Sequence, residues 1–111
     1  PEPALRGPHQ LINAGNAIAA LSVLDEFEIN ADHIAAGLKW VKWPGRMEQV
    51  LSGPVRLPQG WELWYDGGHN MAAGHMLSVV LEQMPFMPLY VIFGTTRGKD
   101  VAGILKPLQA M

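Results

Sequence analysis

The chain has 111 residues, of which 49% are hydrophobic and 16% charged, and its formal net charge is −2. That length suits one ordinary domain with a real core, the composition excludes a disordered polar chain, and the charge offers no electrostatic case for nucleic acid or an anionic membrane. With no cysteine there are no disulfides or thiolate metal sites, and no apolar run approaches the ~18 to 20 residues that span a bilayer, so a cytoplasmic protein is expected.

The order of the elements is legible from the spacing of apolar residues. Leu11, Ala14, Ile18, Leu21 and Leu24 recur every three or four residues, which predicts a helix over roughly 9 to 24 with one apolar stripe, and Pro8 is placed to start it. Asn30 is a good N-cap for a second helix carrying Ile34, Leu38 and Val41 inward. That helix should end before Pro44, because a proline pushes the residue before it out of the α region.

After WPGR, residues 43 to 46, the pattern changes to alternating strand and helix. The sequence predicts a strand at 47 to 52, a Pro/Gly connection, a strand at 61 to 66 and a helix from 71 to 84 with Ala73, Met76, Leu77, Val80, Leu81 and Met84 on one face. PLYVIFG, residues 88 to 94, reads as a continuous apolar strand buried on both faces, and Asp100 can cap a last helix with Val101, Ile104, Leu105 and Leu108. The expected fold class is therefore α/β: a helical segment followed by a partial Rossmann-like, mostly parallel sheet with flanking helices. The expected division is 1–43 and 44–111. Because the chain opens on Pro1 and stops at Met111 inside a helical pattern, it is expected to be a piece of a longer protein.

Ligands of open parallel sheets bind beyond the carboxyl ends of the strands, and two loops fall there in this topology. One is DGGHN, with Asp66, His69 and Asn70 ahead of a helix. The other is TTRGKD, with Thr95, Thr96, Arg97 and Lys99. Such a mixture suits an anionic ligand with a polar sugar or amine. Each residue also has a plain structural reading. Asn13 is then a polar edge residue of a core helix, Arg46 a solvated hinge charge, Asp66 an Asx-turn or helix cap, and Lys99 a solvated loop charge. His69 and His75 are not at the i, i+4 spacing that sets two imidazoles on one helix face, so they predict no metal site. His9, His33 and His75 read as helix-surface or boundary residues, and Trp40, Trp43, Trp61 and Trp64 as packing around a hinge and a strand.

PHQLINAGNAIAAL, WPGRME, YDGGHN and GTTRGKDVAGIL occur in this order over almost the whole chain. Together they resemble the folylpolyglutamate and dihydrofolate synthases of the Mur ligase superfamily. The resemblance implies ATP-dependent ligation, in which a folate or dihydropteroate carboxylate is activated as an acyl phosphate and attacked by the amine of L-glutamate. It implies that residues 1–43 close a central ATPase domain, that WPGR is a hinge, and that residues 44–111 begin a C-terminal ligase domain. Carried over by motif, Asn13 would read adenine and Arg46 would approach the ATP phosphates as the catalytic cation. Asp66 would hold the ribose hydroxyls, and His69 and Lys99 would meet the incoming glutamate. ATP and Mg²⁺ are the implied cofactors. No GxxxxGK[ST] loop occurs in the chain, so most Mg²⁺ ligands are expected outside it.

Met71 and Gly68 depart from the family's proline and alanine at those places, and both changes look tolerable. Two other functions fit the same elements. Another Mur-type ligase, of cell-wall synthesis, would share the ATP motifs, although HQ after Pro8 and the Trp of WPGR favour the folate branch; a non-catalytic Rossmann-like binding module is the other. The isolated chain is expected to be inactive, and to self-associate through an uncovered sheet edge and helical stripe.

Overall fold

A computed structural model describes residues 2–85 and 88–111. It has two compact units, Pro1–Gly67 and Gly68–Met111. Among the described residues no helix is long and apolar enough to cross a membrane.

In the first unit, helix α1 spans Pro8–Leu21 with Pro8 in its first turn, where a missing N–H is no loss. It stops short of the predicted residue 24, because Ser22 closes it: its N–H donates to the Ile18 carbonyl at 2.9 Å and its hydroxyl to the Ala19 carbonyl at 2.8 Å. Ala14, Ile18 and Leu21 are half-buried, as their spacing predicts, whereas Leu11 and Leu24 are exposed. Helix α2, Ala31–Trp40, has the expected Asn30 cap. Asn30 Oδ1 accepts from the His33 N–H at 3.0 Å, and His33 Nδ1 accepts in return from the Asn30 N–H at 3.4 Å. This reciprocal pair satisfies two amide donors that the helix start leaves over. Val41 ends the helix ahead of Pro44.

The strands of this unit are short and antiparallel, not parallel. Strand β1, Glu48–Gln49, pairs with β2, Trp64–Tyr65, in the register Glu48 to Tyr65 and Gln49 to Trp64. The Val50 N–H extends the ladder to the Leu63 carbonyl at 2.9 Å. The connection holds Gly53, Pro54, Pro58 and Gly60 and no helix, so the chain simply reverses; a parallel pair would need a crossover. The predicted strands at 47–52 and 61–66 are thus correctly placed but much shorter. Ahead of α1, the Ala4 N–H donates to the Leu38 carbonyl at 2.8 Å, and the Arg6 guanidinium stacks 4.6 Å from the Trp64 ring. Trp40, Trp43 and Trp61 are exposed, contrary to the packing role their positions predict.

The second unit is a helix pair. Helix α3, Met71–Glu82, is capped by Asn70 Oδ1, which accepts from the Ala73 N–H at 2.8 Å; helix α4, Val101–Gln109, is capped by Asp100 Oδ1, which accepts from the Gly103 N–H at 2.9 Å. Gly74, Ser78 and Val80 of α3 and Ile104 of α4 are buried. The buried strand predicted over 88–94 is not formed. That segment belongs to no ladder among the described residues, and Ile92 is 99% exposed. An apolar run becomes a central strand only between two pairing neighbours, and the sheet seen here contains only β1 and β2.

Gly15 lies within α1 with nothing within 4 Å of the place a Cβ would take. Gly15→Ala should therefore stabilise the chain by roughly 0.5–1 kcal/mol, through reduced backbone freedom in the unfolded state. Urea unfolding followed by helical circular dichroism measures it, and a lower midpoint would contradict it.

Candidate functional site

The WPGRME turn and the YDG strand end are locked together. Gly45 has φ 72° and Met47 φ 43°, and Met47 is the non-glycine residue with positive φ among those described. Such a conformation costs roughly 1–3 kcal/mol at a non-glycine residue and persists only where its surroundings hold it. Three hydrogen bonds do so. The Met47 N–H donates to Asp66 Oδ2 at 2.9 Å, the Gly45 N–H to Glu48 Oε2 at 2.9 Å, and the Gly67 N–H to the Gly45 carbonyl at 2.8 Å. Met47 itself is buried, and a Cβ on Gly45 would lie 3.1 Å from the Tyr65 ring, so a side chain there would crowd that ring as well as strain the positive-φ backbone. Between the two positive-φ residues Arg46 is exposed, a permanently charged planar group carried on a braced loop.

Asn13 is an exposed residue of α1, and its Nδ2 donates to Gln10 Oε1 at 3.1 Å. Gln10 is buried, and its Nε2 lies 3.1 Å from His9 Nε2. His9 Nδ1 is buried with no partner among the described residues. This unit thus combines a fixed cation, a half-buried carboxylate and an amide at the end of a polar chain, which are groups suited to a polyanion, hydroxyls and a polar ring edge.

In the second unit His69 and Lys99 occupy equivalent places. Each immediately precedes an N-cap, Asn70 of α3 or Asp100 of α4, and each is exposed. His75 is exposed on α3, as its position predicts. The structure does not carry DGGHN and TTRGKD to one edge of a parallel sheet, because that sheet is not formed. Nor does Asp66 cap a helix: Asn70 does, while Asp66 holds the strained turn.

The chain is 31% identical to a dihydrofolate synthase/folylpolyglutamate synthase of Mycobacterium tuberculosis over 95% of its own length and 21% of the relative's. It is 33% identical to a probable dihydrofolate synthetase of Schizosaccharomyces pombe over 94% of this chain and 25% of that protein, and 30% identical to the folylpolyglutamate synthase of Lacticaseibacillus casei over 98% and 24%. Over most of its length this chain is similar to folylpolyglutamate and dihydrofolate synthases. It spans about a quarter or less of the curated relatives it matches. No protein-family model matches it, and no solved structure does.

The two departures from the synthase motifs are structurally mild. Met71 begins α3 without proline, since the Asn70 cap already sets the start, and Gly68 is half-buried just ahead of it. Three residues of the site escaped sequence reasoning: Gln10, Met47 and Glu48. Gln10 had a usable signal, because it stands one helical turn before Asn13. Met47 had none, since nothing in the letters WPGRME announces a positive φ at methionine. Among the described residues no three His, Cys, Asp or Glu gather as a metal site.

Proposed function

We propose that the chain is part of an ATP-dependent ligase that joins L-glutamate to folate, or to dihydropteroate, through an acyl phosphate. The single observation that carries this reading is the lock between WPGRME and YDG, two synthase motifs brought together by the Met47–Asp66 hydrogen bond. The similarity to synthases supports it. The carboxylate oxygen of the folate attacks the γ-phosphorus of ATP and ADP leaves; the glutamate amine then attacks the acyl carbon, phosphate leaves and the amine loses a proton.

In this scheme Arg46 meets the phosphates, where a guanidinium that is always charged stabilises negative charge as it moves toward the leaving ADP. Asp66, its position fixed by Met47, accepts from the ribose hydroxyls, and Asn13 reads the adenine edge with its amide. His69 and Lys99, each at the approach to a helix N-terminus, suit the carboxylates of glutamate. Most of the groups that would hold the Mg²⁺ accompanying ATP lie outside these 111 residues. A cytoplasmic setting fits a folate ligase.

The purified chain should neither hydrolyse ATP nor ligate glutamate, whereas the ligase containing it should release ADP over many turnovers only with both folate and glutamate present. Turnover by the chain alone, or ADP release indifferent to folate, would overturn the reading. Within that ligase His69→Ala should raise the glutamate KM roughly 10-fold or more, the range of one hydrogen bond to a charged group, with little change in kcat. His75→Ala, on the exposed face of α3, serves as the control and should change neither.

A further inference from the structure

The chain of side chains at the start of α1 has a direction in the structure, and donor and acceptor chemistry makes its links depend on one another. Asn13 Nδ2 is only a donor, so Gln10 Oε1 accepts from it at 3.1 Å. Gln10 Nε2 is likewise only a donor, so His9 Nε2, 3.1 Å away, must accept. A neutral imidazole that accepts at Nε2 carries its proton on Nδ1. Each link therefore determines the next, from Asn13 through Gln10 to His9. Gln10 is the pivot: it is only 7% exposed, and turning its amide alone would set Nε2 against Asn13 Nδ2, donor to donor, and oppose two acceptors at His9.

We propose that Gln10 is a positioning residue that fixes the Asn13 amide and so decides which nucleobase the site accepts. The inference rests on the reading of Asn13 as the base-contacting residue. With one Nδ2 hydrogen committed to Gln10, Asn13 offers a ligand one N–H donor and one carbonyl acceptor. Adenine complements that pair, because its N6 amino group donates and its N7 accepts side by side. Guanine presents two adjacent acceptors, N7 and O6, and meets only the single remaining hydrogen. Freed from Gln10, the Asn13 amide can turn and give both hydrogens to those acceptors. Adenine preference thus comes from a residue that touches no base.

The test uses the ligase that contains these 111 residues, with ATP and GTP as probes, and follows the Asn13 side-chain amide by ¹⁵N–¹H nuclear magnetic resonance. In the wild type the two Nδ2 protons should be well separated, one held by Gln10 and slow to exchange. Gln10→Leu removes the acceptor, and the two protons should converge and exchange faster. Gln10→Glu keeps an acceptor and should restore the separation. On titration ATP should shift the Asn13 amide, and the preference for ATP over GTP should fall roughly 3- to 10-fold in Gln10→Leu, the range of one hydrogen bond, and recover in Gln10→Glu. Helical circular dichroism of both variants separates this from loss of α1. Unchanged Asn13 amide protons in folded Gln10→Leu would overturn the positioning role. An Asn13 signal indifferent to both nucleotides, with the proton separation still dependent on residue 10, would overturn the adenine reading and with it the base preference, leaving only the amide orientation.

Discussion

Asp66→Ala is expected to destabilise the first unit by roughly 2 kcal/mol, the penalty for leaving a poorly hydrated amide without its acceptor. The amide is that of Met47, a buried residue already held at φ 43°, and Asp66 Oδ2 is its partner at 2.9 Å. Losing that bond releases the constraint on the least favourable backbone position of the turn that carries Arg46. Asp66→Asn separates structure from chemistry. Its amide oxygen still accepts from Met47, so the stability loss should largely disappear, whereas the charge and the second equivalent oxygen do not return. In the ligase, Asp66→Ala should lower kcat/KM for ATP roughly 10- to 100-fold, the range of one or more hydrogen bonds to a charged group, and Asp66→Asn should recover only part of it. Thermal unfolding and ATP-dependent ADP release give the two readouts. If Asp66→Asn were as unstable as Asp66→Ala, the Met47 bond would not be what Asp66 contributes to the fold.

Gly74→Ala should be the most damaging small change in the second unit. Gly74 is buried where α3 crosses α4, and a Cβ there would overlap the carbonyl of Ile104 and stand 3.0 Å from its carbon and 3.2 Å from its Cα. These are backbone atoms of a packed helix. No side-chain rotation relieves the overlap, so the helices must separate and uncover Val80 and Ile104, which are 5% and 4% exposed. Overpacking of this kind costs about 1–3 kcal/mol, occasionally more, and a two-helix unit has little stability in reserve. Gly103→Ala is the instructive comparison. Its Cβ would meet the Asp100 carboxylate, a group that can swing away, so the loss should be no more than the α4 cap, about 1 kcal/mol. Urea unfolding of both variants measures the difference. A Gly74→Ala midpoint equal to the wild type would show that α3 and α4 are not in contact at this residue.

The helices, their caps and the similarity to the synthases were legible in the sequence by itself. Helix starts are local: Asn30 reaches the amide of His33 and Asp100 that of Gly103, three residues away, so the residue types alone predict both caps. Periodicity is local too, and it located the half-buried faces of α1 and α2 and the packed faces of α3 and α4, although Leu11, Leu24 and Val101 proved exposed. Four short motifs in order were enough for that similarity, because motif chemistry does not depend on the surrounding sheet. Tertiary structure alone decided how the strands pair and what Asp66 does. Strand pairing is non-local, and apolar content reports only that a segment can be buried, not that a neighbour is there to bury it; hence PLYVIFG was read as a core strand, yet Ile92 stands in solvent. The Met47–Asp66 bond joins residues 19 apart in the chain, beyond any local rule, and the strain it holds at Met47 leaves no mark in the amino-acid letters.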